Sequence, residues 1–205
     1  MLDKIVYIKD QTASFKSTFK GAKDMHIVID STSNCDEITT AYANTNNGSV
    51  HIYLKNFDIN MDLKRILIHE DLGHLLTQNV YHNQKEWSDL AYMLVNSDVF
   101  KEKRDYIHQY YRENTSEMAK LAEESNLSAE TFTDYIYVSE FVSIWFEDNI
   151  NKEPIKYSNF KFKRFFNEMF FRDPLLNLNH LLYQYRYSQL ERPFNWKKDG
   201  FTILT

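Results

Sequence analysis

The spacing of hydrophobic positions changes near residue 60. Before it, short β-branched runs dominate: "KIVYI" (4–8) and "MHIVID" (25–30) read as strands, and a short helix is expected around "TASFKSTFK" between them. The segment "TTAYANTNNGSVHIYL" (39–54) shows two strand-like pieces around Asn46-Asn47-Gly48. Asn-Gly supports the positive φ of a tight turn, so a β-hairpin is expected there. Val50, Ile52 and Leu54 alternate with His51 and Tyr53, as in a half-buried strand.

After residue 60 the period becomes helical. Asn60 or Asp62 can cap a helix whose apolar face is Leu63, Ile66, Leu67, Leu72, Leu75 and Leu76. Further helices are expected over 84–95, 98–112, 115–124, 134–148, 158–171 and 174–188, with Pro154, Pro174 and Pro193 at the joints. The expected fold is α+β: a small mixed N-terminal sheet with an edge hairpin, followed by a mainly helical body. A single domain over 1–205 is expected, sheet-rich to about 60, helical over 61–190, with a C-terminal tail from 191.

Composition refines this picture in three places. Only 4 Gly and 3 Pro in 205 residues leave room for long helices. A net charge of −5 with no extended Lys/Arg stripe gives no nucleic-acid footprint. Cys35 is the single cysteine, which excludes internal disulfides and Cys-rich zinc ribbons. No signal peptide or membrane-spanning run is visible, so a cytoplasmic protein is expected, a delivered toxin or effector domain being the other reading.

The candidate chemistry lies in "LKRILIHEDLGHLLTQ" (63–78), where His69-Glu70 is followed by His74. Two metal-binding His on one helix usually stand four residues apart. The five-residue step here would put them about 140° apart around a regular α-helix. A π-bulge, with one extra residue in the turn, would return both to one face, and Gly73 lies within the interval to ease it. Two ionisable groups set into an otherwise core-like helix need a partner or a metal. Glu140, in "TDYIYVSEFVSIWFED" (133–148), is a carboxylate among Ile136, Tyr137, Ser143 and Ile144 and offers a third ligand. An Arg or Lys partner for Glu140, or a rim position continuing into Glu147 and Asp148, is the plainer reading.

These residues resemble the gluzincin metallopeptidases, which take two His from one helix and a Glu from a later one. His69-Glu70-Asp71-Leu72-Gly73-His74 matches the His-Glu-x-x-Gly-His motif of dipeptidyl peptidase III, an HExxxH spacing that binds zinc. The surroundings, roughly 40–150, look more like the anthrax-lethal-factor-type and Pro-Pro endopeptidases. Their Glu-Phe-Phe-Ala-Glu-Ala-Phe helix is similar to Glu140–Phe146 at the first Glu, the Phe after it and the last Phe. The resemblance implies a zincin-like fold with Zn²⁺ held by His69, His74 and Glu140, Glu70 as general base, and a peptide or protein substrate. The strand carrying Val50, Ile52 and Tyr53 would be the edge that an extended substrate joins. That family's catalytic Tyr falls here on Thr133, so Tyr137 or Tyr135 would take its role, and its second acidic residue falls on Ile144. No membrane or nucleic-acid partner is implied. A catalytically inactive zincin-like binding module is the alternative, and a helical interaction module with an accidental motif is a third.

His51 is expected to face water, His82 lies too far beyond the helix for a third ligand, and His108 and His180 are expected to be polar partners and not ligands. The run "FKFKRFFNEMFFR" (160–172) reads as core aromatics with solvated Lys and Arg, and "LLYQYRYSQL" (181–190) as core packing.

Overall fold

A computed structural model describes residues 1–32, 39–80, 84–112, 129–152, 173–193 and 195–205. The sequence readings at Cys35, His82, 115–124, 158–171 and 160–172 lie outside these residues, as does the side chain of Tyr135.

The chain opens with a helix where a strand was expected. Helix α1 runs Leu2–Thr18 and absorbs both "KIVYI" and most of the short helix expected after it. Its buried residues are Ile8, Thr12 and Phe15, spaced by four and three. That period outweighs the local β-branched preference, because it gives one continuous stripe against the core. A single 3-10 turn, Lys20–Ala22, leads into β1 (His26–Asp30).

Strands β2 (Ala41–Asn44) and β3 (Ser49–Tyr53) form the expected antiparallel hairpin, with Ala43 opposite Val50. Gly48 stands at φ 65°, and a Cβ there would lie 2.1 Å from the Trp196 ring. Backbone conformation and a close aromatic neighbour therefore both require glycine at this turn.

The sheet has four strands in the order β2-β3-β1-β4, where β4 is Gly200–Leu204. The expected C-terminal tail is thus partly a strand, pairing parallel to β1 from His26↔Gly200 to Asp30↔Leu204. β3 also pairs parallel to β1, so it is hydrogen-bonded on both sides. This corrects the edge role expected of Val50, Ile52 and Tyr53: among the described residues, the edge on the hairpin side belongs to β2. Val50 and Ile52 are fully buried, which fits a central strand.

One sheet face carries Ile27, Ile29, Val50 and Ile52 into the helical core. The opposite face carries His26, Asp30, Ser49 and His51, all buried. His51 does not face water as expected. Its Nδ1 lies 3.0 Å from the Tyr42 hydroxyl and its Nε2 3.0 Å from Ser49 Oγ, which donates to Asn47 Oδ1 at 2.5 Å. Every polar atom in that chain is satisfied with the imidazole neutral. Burial, ahead of the opposing charge of Asp30, holds the His51 pKa below 6.5.

Helix α2 is continuous through three parts: Leu63–Leu67, a π-helical stretch Ile68–Leu76, and Thr77–Val80. Asp62 caps it by accepting from the Arg65 amide. Helices α3 (Gln84–Val95), α4 (Asp98–Arg112), α5 (Ala129–Asn149) and α6 (Pro174–Tyr187) complete the body, close to the expected spans. Leu181, Leu182 and Tyr185 of α6 are buried, as expected for core packing. In α5, Phe141 and Phe146 are buried, and Phe141 meets Phe100 of α4 edge-on at 5.4 Å. Burying each such ring is worth about 1.5–3 kcal/mol, enough to fix the rotation of α5 against its neighbours. No helix among the described residues is long and apolar enough to cross a membrane.

Candidate metal centre

The extra residue between His69 and His74 is accommodated as its spacing demands. The π stretch Ile68–Leu76 spans both histidines, and their Nε2 atoms lie 3.1 Å apart. Thr77 secures the C-terminal end of this stretch. Its amide bonds the carbonyls of His74 and Leu72, and its hydroxyl donates to the Leu72 carbonyl at 2.6 Å. A five-residue step closed in this way is the π pattern.

Gly73 serves this geometry differently from the expectation. Its backbone is not in the left-handed region, since only Gly48 and Gly200 among the glycines have positive φ. A Cβ at Gly73 would instead lie 2.2 Å from Ser143 Oγ and 2.7 Å from Ser143 Cα on α5. Glycine lets the two helices touch backbone to backbone. That approach delivers Glu140 to the histidines: Glu140 Oε2 is 3.5 Å from His69 Nε2, and Oε1 is 3.4 Å from His74 Nε2.

His69, His74 and Glu140 form a cluster able to hold a metal ion, their ligand atoms all lying within 4.8 Å of one another. A tetrahedral ion with bonds of about 2.0–2.1 Å needs ligand atoms about 3.3 Å apart. The two Nε2 atoms lie 3.1 Å apart, and each imidazole has its own Glu140 oxygen at 3.4 or 3.5 Å, close to that value. Three protein donors also leave a fourth position, and the three side chains keep 15–20% of their surface exposed, so the position is reachable.

The remaining nitrogens are oriented from behind. His69 Nδ1 is 2.5 Å from Glu147 Oε1, and His74 Nδ1 is 3.0 Å from Ser139 Oγ. Glu147 is in turn gripped by Arg65, from Nε at 3.0 Å and NH2 at 2.8 Å. Partners of this kind fix the ring orientation and present Nε2 to the centre. Glu147 was expected only as a rim residue, and no carboxylate was foreseen behind the histidines. A spacing of seven from Glu140, two helical turns on the same face, was the available signal. Ser139 carried no comparable signal.

The electrostatics follow from this packing. Burial alone would depress His69, but hydrogen bonds to Glu140 and Glu147 overcome it and raise the pKa to about 10. Burial would likewise raise Glu140, yet the two imidazoles pull its carboxyl well below the usual carboxylate range. Without metal, the centre is therefore an imidazolium–carboxylate pair.

Glu70 is buried beside the cluster, and burial raises its pKa against the opposing charges of His74 and His69. Its carboxylate accepts from the Ala43 amide of β2. Tyr53 N–H donates to Thr40 O, and the antiparallel ladder then turns the Ala41 and Ala43 amides away from β3, toward the free edge. Glu70 thus sits between the candidate ligands and that edge.

Tyr137 is buried on α5, with its hydroxyl 2.6 Å from His108 Nδ1 of α4. His108 is a polar partner, as expected. Asp71 points away from the cluster into a wholly buried ion pair. Arg192 NH1 and NH2 each lie 2.7 Å from one carboxylate oxygen, and the Tyr185 hydroxyl donates to Asp71 at 2.8 Å. Neither Asp71 nor Arg192 drew notice in the sequence, because their partnership spans 121 residues. Comparison of the chain with protein-family profiles, curated proteins and solved structures returned no match.

Proposed function

We propose that this chain is a zinc-dependent hydrolase of peptide bonds, with His69, His74 and Glu140 as ligands and Glu70 as general base. The observation that carries this reading is the convergence of two Nε2 atoms and one carboxylate across a π-helical turn, with a second carboxylate buried beside them. The donor set of two imidazoles and one carboxylate, in a tetrahedral spacing with one position open, suits zinc. Zinc bound there supplies a Lewis acid that polarises a carbonyl and brings the pKa of a coordinated water toward neutrality.

Glu70 takes the proton that the attacking water loses and passes it to the departing amine. Its raised pKa suits this, because a more basic carboxylate takes the water proton more readily. Its bond to the Ala43 amide sets it at the β2 edge, where an extended peptide would pair through backbone groups. β2 therefore replaces the strand bearing Val50, Ile52 and Tyr53 as the substrate ledge in this proposal. Tyr137 and Tyr135 are the candidates for stabilising the oxyanion, and Phe substitution at each tells them apart.

One observation favours a second reading, a metal-binding interaction module without catalysis. The Glu70 carboxylate is already engaged by a main-chain amide. Two measurements decide between them. Zinc per chain, measured on protein purified without chelator, is expected to approach one, and a zinc-free protein would sink both readings. Glu70→Gln is expected to keep its zinc and lose about 10²–10⁴-fold in peptide cleavage. Zinc-loaded protein that cuts none of a broad peptide library would favour the interaction module.

A further inference from the structure

The π stretch is held on two sides, and only one of them is the metal side. Opposite the histidines, Asp71 is fully buried against Arg192, which also donates from NH2 to the Gly21 carbonyl at 3.2 Å. The contacts arrive from three places: the 3-10 turn after α1, Tyr185 near the end of α6, and the segment between α6 and β4. That segment also reaches the hairpin. Trp196 lies against Gly48, and the Lys197 amide donates to the Asn47 carbonyl at 2.7 Å.

A buried ion pair is weak evidence of stability, since desolvating two charges offsets most of their attraction. Arg192 Nε adds to that cost, having no hydrogen-bond partner among the described residues. In some proteins such a pair instead selects one arrangement over its competitors. The competitor here is concrete. Straightening the helix would rotate residues on either side of the bulge by roughly 100° relative to each other, separating His69 from His74. Asp71 lies inside the interval between the two histidines, so the same rotation would pull its carboxylate off the Arg192 fork.

We infer that Arg192 is a positioning residue: through Asp71 it locks the π-helical register that brings His69 and His74 to one metal, tying the segment before β4 to the centre. The assignment rests on the zinc reading for its consequence, but the register lock exists in the metal-free chain as well. It acts without touching ligand or substrate.

The test uses the full chain with Asp71→Leu/Arg192→Met, which removes both charges together, and Arg192→Lys, which keeps the charge and loses the fork. Zinc affinity is read by competition with a chromophoric chelator, and backbone amide exchange is read on the chelator-treated protein. The double variant is expected to fold, bind zinc at least tenfold more weakly, and exchange faster over Ile68–Leu76, with β1 amides unchanged. Arg192→Lys is expected to lie between it and wild type. A folded double variant with wild-type affinity, or with exchange raised equally over β1 and Ile68–Leu76, overturns the inference, because a contact serving stability alone would loosen the whole fold evenly. Should the double variant fail to fold, Arg192→Lys decides on the same readouts. Loss of fold in both makes the pair a plain stability element and also overturns it. A wild type that binds no zinc defeats the zinc reading instead, and amide exchange still judges the lock.

Discussion

Two histidines, His51 buried in the sheet and His69 half-buried in the π stretch, sit in opposite chemistries. His51 is bracketed by hydroxyls from Tyr42 and Ser49, and burial keeps it neutral. His69 is bracketed by carboxylates from Glu140 and Glu147, which outweigh its burial and raise its pKa to about 10. Burial is shared, so it cannot mark a functional site. The partners do: hydroxyls complete a neutral imidazole, whereas carboxylates collect a cation, whether a proton or a metal.

The comparison breaks most visibly on metal binding. His69→Ala and Glu140→Ala should each lower bound zinc from about one per chain to nearly none, while His51→Gln keeps it. Elemental analysis after gel filtration reads this, and equal loss in all three would erase the distinction. A smaller effect is expected from Glu147→Gln, which keeps the shape behind His69 but removes its charge. Chelator competition should show affinity falling about 10–100-fold, and an unchanged value would return Glu147 to the rim role read from sequence.

The smallest effect concerns pH in the chelator-treated protein, where the two histidines should act with opposite sign. His69, raised to about 10 from 6.5, contributes stability that is complete below 6.5 and lost as pH rises toward 10. For His51 the unfolded chain binds the extra proton, so stability falls as pH drops below 6.5. Melting temperature against pH should flatten on the alkaline side in His69→Gln and on the acid side in His51→Gln. Matching profiles for the two variants would count against the assigned partners.

The candidate site was more legible in the sequence than the sheet around it. A count of five between His69 and His74 carries geometric information, because only a bulged turn reconciles it with one shared face. Glu140 stood out as a carboxylate on an apolar face, and the structure brings it to both histidines. The sheet failed in two places for one physical reason. "KIVYI" has strand-like composition, but its use is set by the stripe it forms with Thr12 and Phe15 farther along. "GFTIL" becomes β4 only because β1, more than 170 residues earlier, offers it an edge. The same nonlocality hid the free edge of β2 and the Arg192 fork. Gly73 was singled out correctly for the wrong property: its value is an absent Cβ against Ser143, not backbone freedom.

The long reach from Arg192 to Asp71 also has a consequence in time. A growing chain contains all three candidate ligands once residue 140 has been made, together with the proposed base and the hairpin. The fork on Asp71 and the fourth strand of the sheet come more than fifty residues later. At about 5–20 residues per second, that interval is a few seconds of synthesis in which the ligands exist without the contacts that hold them in register. On the hydrolytic reading proposed above, such an order of assembly would keep the centre idle until the polypeptide around it is ready.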